Sequence, residues 1–239
     1  MKYKAILFDL DGTLLPMDND EFTKAYFGSL AKRMADIGYE PQKLIESIWY
    51  CVKTMVTNDG SRTNEEAFWD NFCKIYGEQA RQDELHFDKY YRTDFQNISK
   101  LCKPQENAKK LINKLKEDGT RIILATNPLF PRIATESRIG WAGLECDDFE
   151  YVTTYENSSY CKPNPLYYKE ILDKLELEPC DCLMVGNDVD EDMVAKSLGV
   201  HVFLLENCII NKNNQDISVY NKGGFEELLE YLDFSVKKP

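Results

Sequence analysis

Histidine is nearly missing from this chain. Two of its 239 residues, His86 and His201, are histidines. That leaves little material for a zinc site or for histidine acid/base chemistry. Cys51, Cys73, Cys102, Cys146, Cys161, Cys180, Cys182 and Cys208 are scattered, and no two have the C-x-x-C spacing of a metal or redox motif. No run approaches the ~18 apolar residues that cross a bilayer. The first apolar stretch, Ala5–Phe8, is too short for the core of an export signal. The expected setting is therefore cytoplasmic, with reduced thiols. Basic patches are also lacking, and the net charge is −12. A DNA or RNA partner would be repelled, and no membrane partner is expected. A monomer or weak homodimer is expected.

What is present alternates. Ala5–Phe8, Arg121–Ala125, Tyr151–Thr154, Leu183–Val185 and Val200–Leu205 are short apolar runs of the kind that form strands buried on both faces. Helical patterns lie between and after them at Glu106–Glu117, Pro165–Leu175, Asp192–Leu198 and Phe225–Leu232. Strand alternating with helix predicts an α/β fold, a doubly wound three-layer core on a parallel sheet. Residues 1–16 and 102–239 belong to that core.

Residues 17–101 break the alternation with helical signals alone, which predicts a small all-helical domain inserted after the first strand. Phe22, Tyr26, Leu30 and Met34 recur at helical spacing, Pro41 opens a second helix, and Thr63-x-x-Glu66 is a capping box for a third. Leu85, Tyr90, Tyr91 and Phe95 suggest a fourth. The aromatic positions read as the core of this insert. The polar loop Asn211–Asp216 is a candidate mobile segment.

In such sheets, ligands bind beyond the carboxyl ends of the strands. Those ends carry Asp9-Leu10-Asp11-Gly12-Thr13, then Thr126-Asn127-Pro128, then Lys162-Pro163, then Gly186-Asn187-Asp188 with Asp190, Glu191 and Asp192 beyond. Converging carboxylates call for a hard cation such as magnesium, and a cation with a lysine suits phosphate. A carboxylate can act as the nucleophile, and a second can move the proton. Asp188 and Asp192 share a helical face; Asp190 and Glu191 read as helix-start charges, with Glu191 within possible reach of a metal-bound water.

These segments resemble the four motifs of the haloacid dehalogenase superfamily, specifically its phosphatase-like members with a helical cap after the first motif. The resemblance spans nearly the whole chain. It implies a magnesium-dependent phosphatase acting on a small phosphorylated metabolite. By the same resemblance, Asp9 attacks phosphorus, Asp11 is the acid and base, and Thr126 and Lys162 grip the phosphoryl group. Asp9, the Asp11 backbone and Asp188 hold Mg2+, with Asp192 behind them. Asn187 departs from the aspartate that many relatives carry directly after the glycine.

Asn127 joins the substrate-binding candidates. So does Arg62, in the loop Asn58–Asn64, although a surface ion pair competes for that arginine. A phosphomutase, a phosphonate hydrolase using Lys24, Lys32 or Lys53 for an imine, and a non-catalytic binding module are the alternatives. Asp11 argues against a dehalogenase.

Overall fold

The structure is a computed structural model and describes residues 3–233. Positions 1, 2 and 234–239 of the expected core lie outside the described residues. Six parallel strands form one sheet: β1 (Ala5–Phe8), β2 (Arg121–Leu124), β3 (Tyr151–Val152), β4 (Cys182–Gly186), β5 (His201–Leu205) and β6 (Asn221–Gly223). Their order is β3-β2-β1-β4-β5-β6, so β1 is central. It pairs in register with β2 through Ala5 and Arg121, and with β4 through Ala5 and Cys182.

Both faces of the sheet are covered, which is why its strands are apolar at consecutive positions. Ile6, Phe8, Ile122, Leu124, Leu183 and Val185 pack under α5 (Glu106–Glu117) and α8 (Phe225–Tyr231). Ala5, Leu7, Ile123, Cys182 and Met184 pack on the other face under α7 (Pro165–Lys174). Two local departures have physical causes. The expected helix Asp192–Leu198 is a 3-10 segment, Met193–Leu198, ended by Gly199 in the left-handed region. The short edge strand β6 has two exposed residues, Asn221 and Lys222, so it carries no apolar run to betray it.

Between β1 and β2 run α1 (Asn19–Ala35), α2 (Pro41–Val56), α3 (Asn64–Tyr76) and α4 (Glu84–Arg92). Local chemistry sets their starts. Asp18 accepts hydrogen bonds from the backbone N–H groups of Asp20 and Glu21, Pro41 begins α2, and the Thr63–Glu66 capping box forms as its spacing predicts. The insert's apolar cluster runs on into Ala134, Phe130 and Ile133 of the segment beyond β2. The helices between β1 and β2 thus share packing with the segment that follows β2. No helix among the described residues is long and apolar enough to cross a membrane. All eight cysteines are free.

Candidate active site

The carboxyl end of β1 turns sharply at Gly12, whose φ of +86° suits glycine. A Cβ there would also lie 2.4 Å from the Asn187 amide nitrogen. Asn187 stitches two strand ends together: its Oδ1 accepts from Thr13 Oγ1 at 2.9 Å, and its Nδ2 donates to the Cys208 carbonyl at 2.6 Å. An ionised aspartate has no donor for that carbonyl, which gives the departure at 187 a structural reason.

Asp9 is buried, and its backbone N–H donates to Val185 O at 3.0 Å, across to β4. The buried Lys162 ammonium lies between two carboxylates, 2.8 Å from Asp9 Oδ1 and 2.7 Å from Asp192 Oδ1. Burial by itself pulls its proton affinity down. Asp192 and Asp9 outweigh that and hold the lysine well above its usual range. Asp192 also accepts from the Asp188 N–H at 2.9 Å. Gly186 makes room for it, since a Cβ at that position would sit 2.1 Å from Asp192 Oδ2.

Asp11 is paired with Arg138, a residue of α6 (Arg132–Trp141) that is 1% exposed. The guanidinium also lies 4.5 Å from the centre of the Phe130 ring and 3.3 Å from Thr135 Oγ1. Burial pushes the Asp11 carboxyl up, and Arg138 opposes it without cancelling it. The second carboxyl oxygen, Oδ1, is buried with no hydrogen-bond partner. Arg138 was not among the candidates from sequence. It lies 127 residues from Asp11 on an ordinary helical stretch, and no local signal marks it.

A cavity of about 510 Å³ opens over these groups and is lined by Asp9, Asp11, Thr126, Asn127, Asp188, Glu191 and Asp192, together with Arg138. The buried Thr126 receives Tyr167 OH at its carbonyl, 2.8 Å away. Asn127 donates to Glu191 Oε2 at 3.0 Å, and burial pushes the Glu191 carboxyl up to about 7. Glu191 is therefore more than a helix-start charge. Asp190 instead points to the Asn211–Asp216 loop, where Asn213 Nδ2 donates to it at 3.0 Å. That loop is tethered, and its Lys212 reaches the cavity.

Arg62 needs correcting. It does not line the cavity; it pairs with Asp70 at 2.6 Å on the outer surface, as the competing surface reading has it. The rest of Asn58–Asn64 also stays off the cavity wall. Its turn faces the loop after β3 instead, where Asn64 N donates to Ser158 O at 2.8 Å. Lys24, Lys32 and Lys53 are exposed and away from the cavity, so imine chemistry on them has no geometric basis. The aromatic positions of the insert serve two purposes. Phe72 and Tyr90 are core, whereas Phe27, Trp49 and Phe68 face the cavity.

Among the described residues, no three His, Cys, Asp or Glu side chains form a ready metal cage. The oxygen donors at hand nonetheless suit magnesium, which takes one or two carboxylates and keeps several waters. Asp9 and Asp188 both line the cavity, and Asp188 is held by the N–H groups of Asp190 at 2.8 Å and Glu191 at 2.9 Å.

Residues 3–199 match the model of the haloacid dehalogenase-like hydrolases. The chain belongs to that family. It is 25% identical over 219 residues to a phosphoglycolate phosphatase of Nitrosospira multiformis, covering 91% of this chain and 87% of that one. It is 27% identical over 203 residues to a bifunctional riboflavin kinase/FMN phosphatase of Arabidopsis thaliana, covering 82% of this chain and 47% of that protein. The magnesium-bound HAD-hydrolase YfnB of Bacillus subtilis shares the fold, with a TM-score of 0.58 at 20% identity over 98% of this chain and 100% of that one. The family member described here is thus an α/β hydrolase with its carboxylates gathered at the carboxyl ends of β1 and β4.

Proposed function

We propose that this hydrolase is a magnesium-dependent phosphomonoesterase that passes the phosphoryl group through Asp9. The observation that carries the reading is the buried Lys162 ammonium held between Asp9 and Asp192, two carboxylates that line the cavity. It sets a fixed positive charge beside a buried carboxylate, where a phosphate would bring its own negative charge.

In the proposed reaction an Asp9 carboxyl oxygen forms a bond to phosphorus as the bond to the leaving oxygen breaks. Asp11 gives its proton to that oxygen, and the alcohol departs. Asp11 then takes a proton from water as the water oxygen attacks phosphorus, which releases phosphate and regenerates the Asp9 carboxylate. The raised affinity of Asp11 for its proton suits the first step, and the neighbouring Arg138 suits the second by favouring the charged form. Lys162 and Thr126 hold phosphoryl oxygens, and Asp192 holds Lys162. Asp9, Asp188 and the Asp11 carbonyl would hold magnesium, which neutralises charge on the transferring group. Helices α1–α4 act as a cap that excludes water and selects the leaving group.

Phosphate release from a panel of phosphomonoesters, with magnesium and then with EDTA, tests this. The expected result is turnover with magnesium, none with EDTA, and a loss of at least ~10⁴-fold in Asp9→Asn. Borohydride reduction during turnover should convert Asp9 to homoserine, seen by peptide mass. Activity that survives Asp9→Asn, or that ignores EDTA, would sink the proposal.

A further inference from the structure

The insert side of the cavity has a chemistry of its own. Tyr26, Phe27, Trp49, Phe68, Trp69 and Tyr91 present rings to it. Their polar tips are partly spent on one another or on neighbours: Tyr26 OH lies 2.9 Å from Tyr91 OH, and Trp69 Nε1 donates to Tyr155 OH at 3.3 Å. What remains is largely flat apolar surface. None of the residues that α1–α4 contribute to the wall carries a positive charge; the one carboxylate among them is Asp20. The wall's cations come from the sheet side. Arg138 is tied to Asp11, and Lys212 lies on the loop beside the Asp188 strand end, where Ile210 N donates to Asn187 O at 2.9 Å.

A carboxylate or second phosphate on the leaving group would therefore reach the insert side with no cation to meet it and Asp20 to repel it. A flat ring would find stacking partners. Trp49 makes the point at the mouth. It is 51% exposed, tilted against Phe27 with ring centres 5.1 Å apart, and a large aromatic left that open gains from a ligand that covers it.

Resting on the phosphomonoesterase reading, we propose that the natural substrate is a phosphomonoester whose alcohol carries a flat aromatic ring and no negative charge. The recognition groups are the α1–α3 rings, with Trp49 and Phe27 as the outer clamp. At about 510 Å³ the cavity falls in the range that encloses drug-sized ligands.

The test uses primary-alcohol esters of matched leaving-group reactivity: ethyl phosphate, 2-phenylethyl phosphate, 2-(2-naphthyl)ethyl phosphate and phosphoglycolate. With the full chain and magnesium, kcat/KM should rise along the first three by ~10-fold or more per step as apolar area is buried. Phosphoglycolate should rank no better than ethyl phosphate. Trp49→Ala and Phe27→Ala should cut the naphthyl ester at least ~5-fold more than they cut ethyl phosphate, mainly through KM.

Equal rates across the series, or a preference for phosphoglycolate, would overturn the substrate class while leaving the phosphatase intact. If nothing is hydrolysed, including 4-nitrophenyl phosphate, the phosphatase reading has failed instead. Calorimetric binding of the naphthyl ester against ethyl phosphate then still decides the ring preference, and equal affinities refute it.

Discussion

Replacing Arg138 with methionine removes the cation paired with Asp11 while keeping an apolar chain of similar length against Phe130. Stripping one member from a buried ion pair costs about 3–5 kcal/mol, because the other charge is stranded. The two members are not equivalent. The Arg138 side chain is 1% exposed and that of Asp11 25%. Asp11 can also escape by taking a proton, which burial already favours, whereas a guanidinium cannot shed one. Asp11→Asn, which strands Arg138, should therefore cost more than Arg138→Met: about 4 against about 3 kcal/mol on that scale.

The double variant strands nothing. It should fall short of the summed single losses by at least about 2 kcal/mol. Urea unfolding in EDTA reads all four corners, and about 3 kcal/mol moves the midpoint by roughly 1 M for a urea slope near 3 kcal/mol per M. The pH dependence has a definite sign. In Arg138→Met, burial and the neighbouring Asp9 charge hold the Asp11 carboxyl above its unfolded value with Arg138 no longer opposing them. The folded protein then holds that proton more tightly than the unfolded chain, so stability should fall as pH rises from 5 to 8. Single losses that simply add in the double variant, or an Arg138→Met deficit that shrinks as pH rises, would refute the stranded-charge account.

Further outcomes can be checked on the same protein. Gly186→Ala puts a Cβ 2.1 Å from Asp192 Oδ2. We expect a loss of about 1–3 kcal/mol from overpacking and a fall in kcat as Lys162 loses its seat; wild-type kinetics would contradict this. Asn187→Asp takes the donor from the Cys208 carbonyl, so about 2 kcal/mol and a drop in Tm of about 4–8 °C should appear in a thermal melt. Arg62→Ala breaks an exposed pair with Asp70, so it should leave KM unchanged and cost at most about 1 kcal/mol. A raised KM would return Arg62 to the site.

Much of the proposed site was legible because its signals are local. Asp9 and Asp11 stand at the end of an apolar run, Thr126 and Lys162 close or follow later runs, and each segment can be read without the others. The order of strands along the chain then predicted that they would meet, and Lys162 does bridge Asp9 and Asp192. Glu191 was harder, because its weight comes from burial and from Asn127, which faces it from 64 residues away.

By itself, then, the sequence determined the alternating α/β core, the run of helices between β1 and β2 and the segments that end at the carboxyl edge, since periodicity, caps and turns act over a few residues. Tertiary structure alone decided that Arg138 pairs with Asp11, that Arg62 does not face the cavity, and which insert aromatics are wall rather than core. Those outcomes depend on how α1–α4 and α6 pack over the sheet, and a helix's periodicity marks its apolar face without saying what that face will meet.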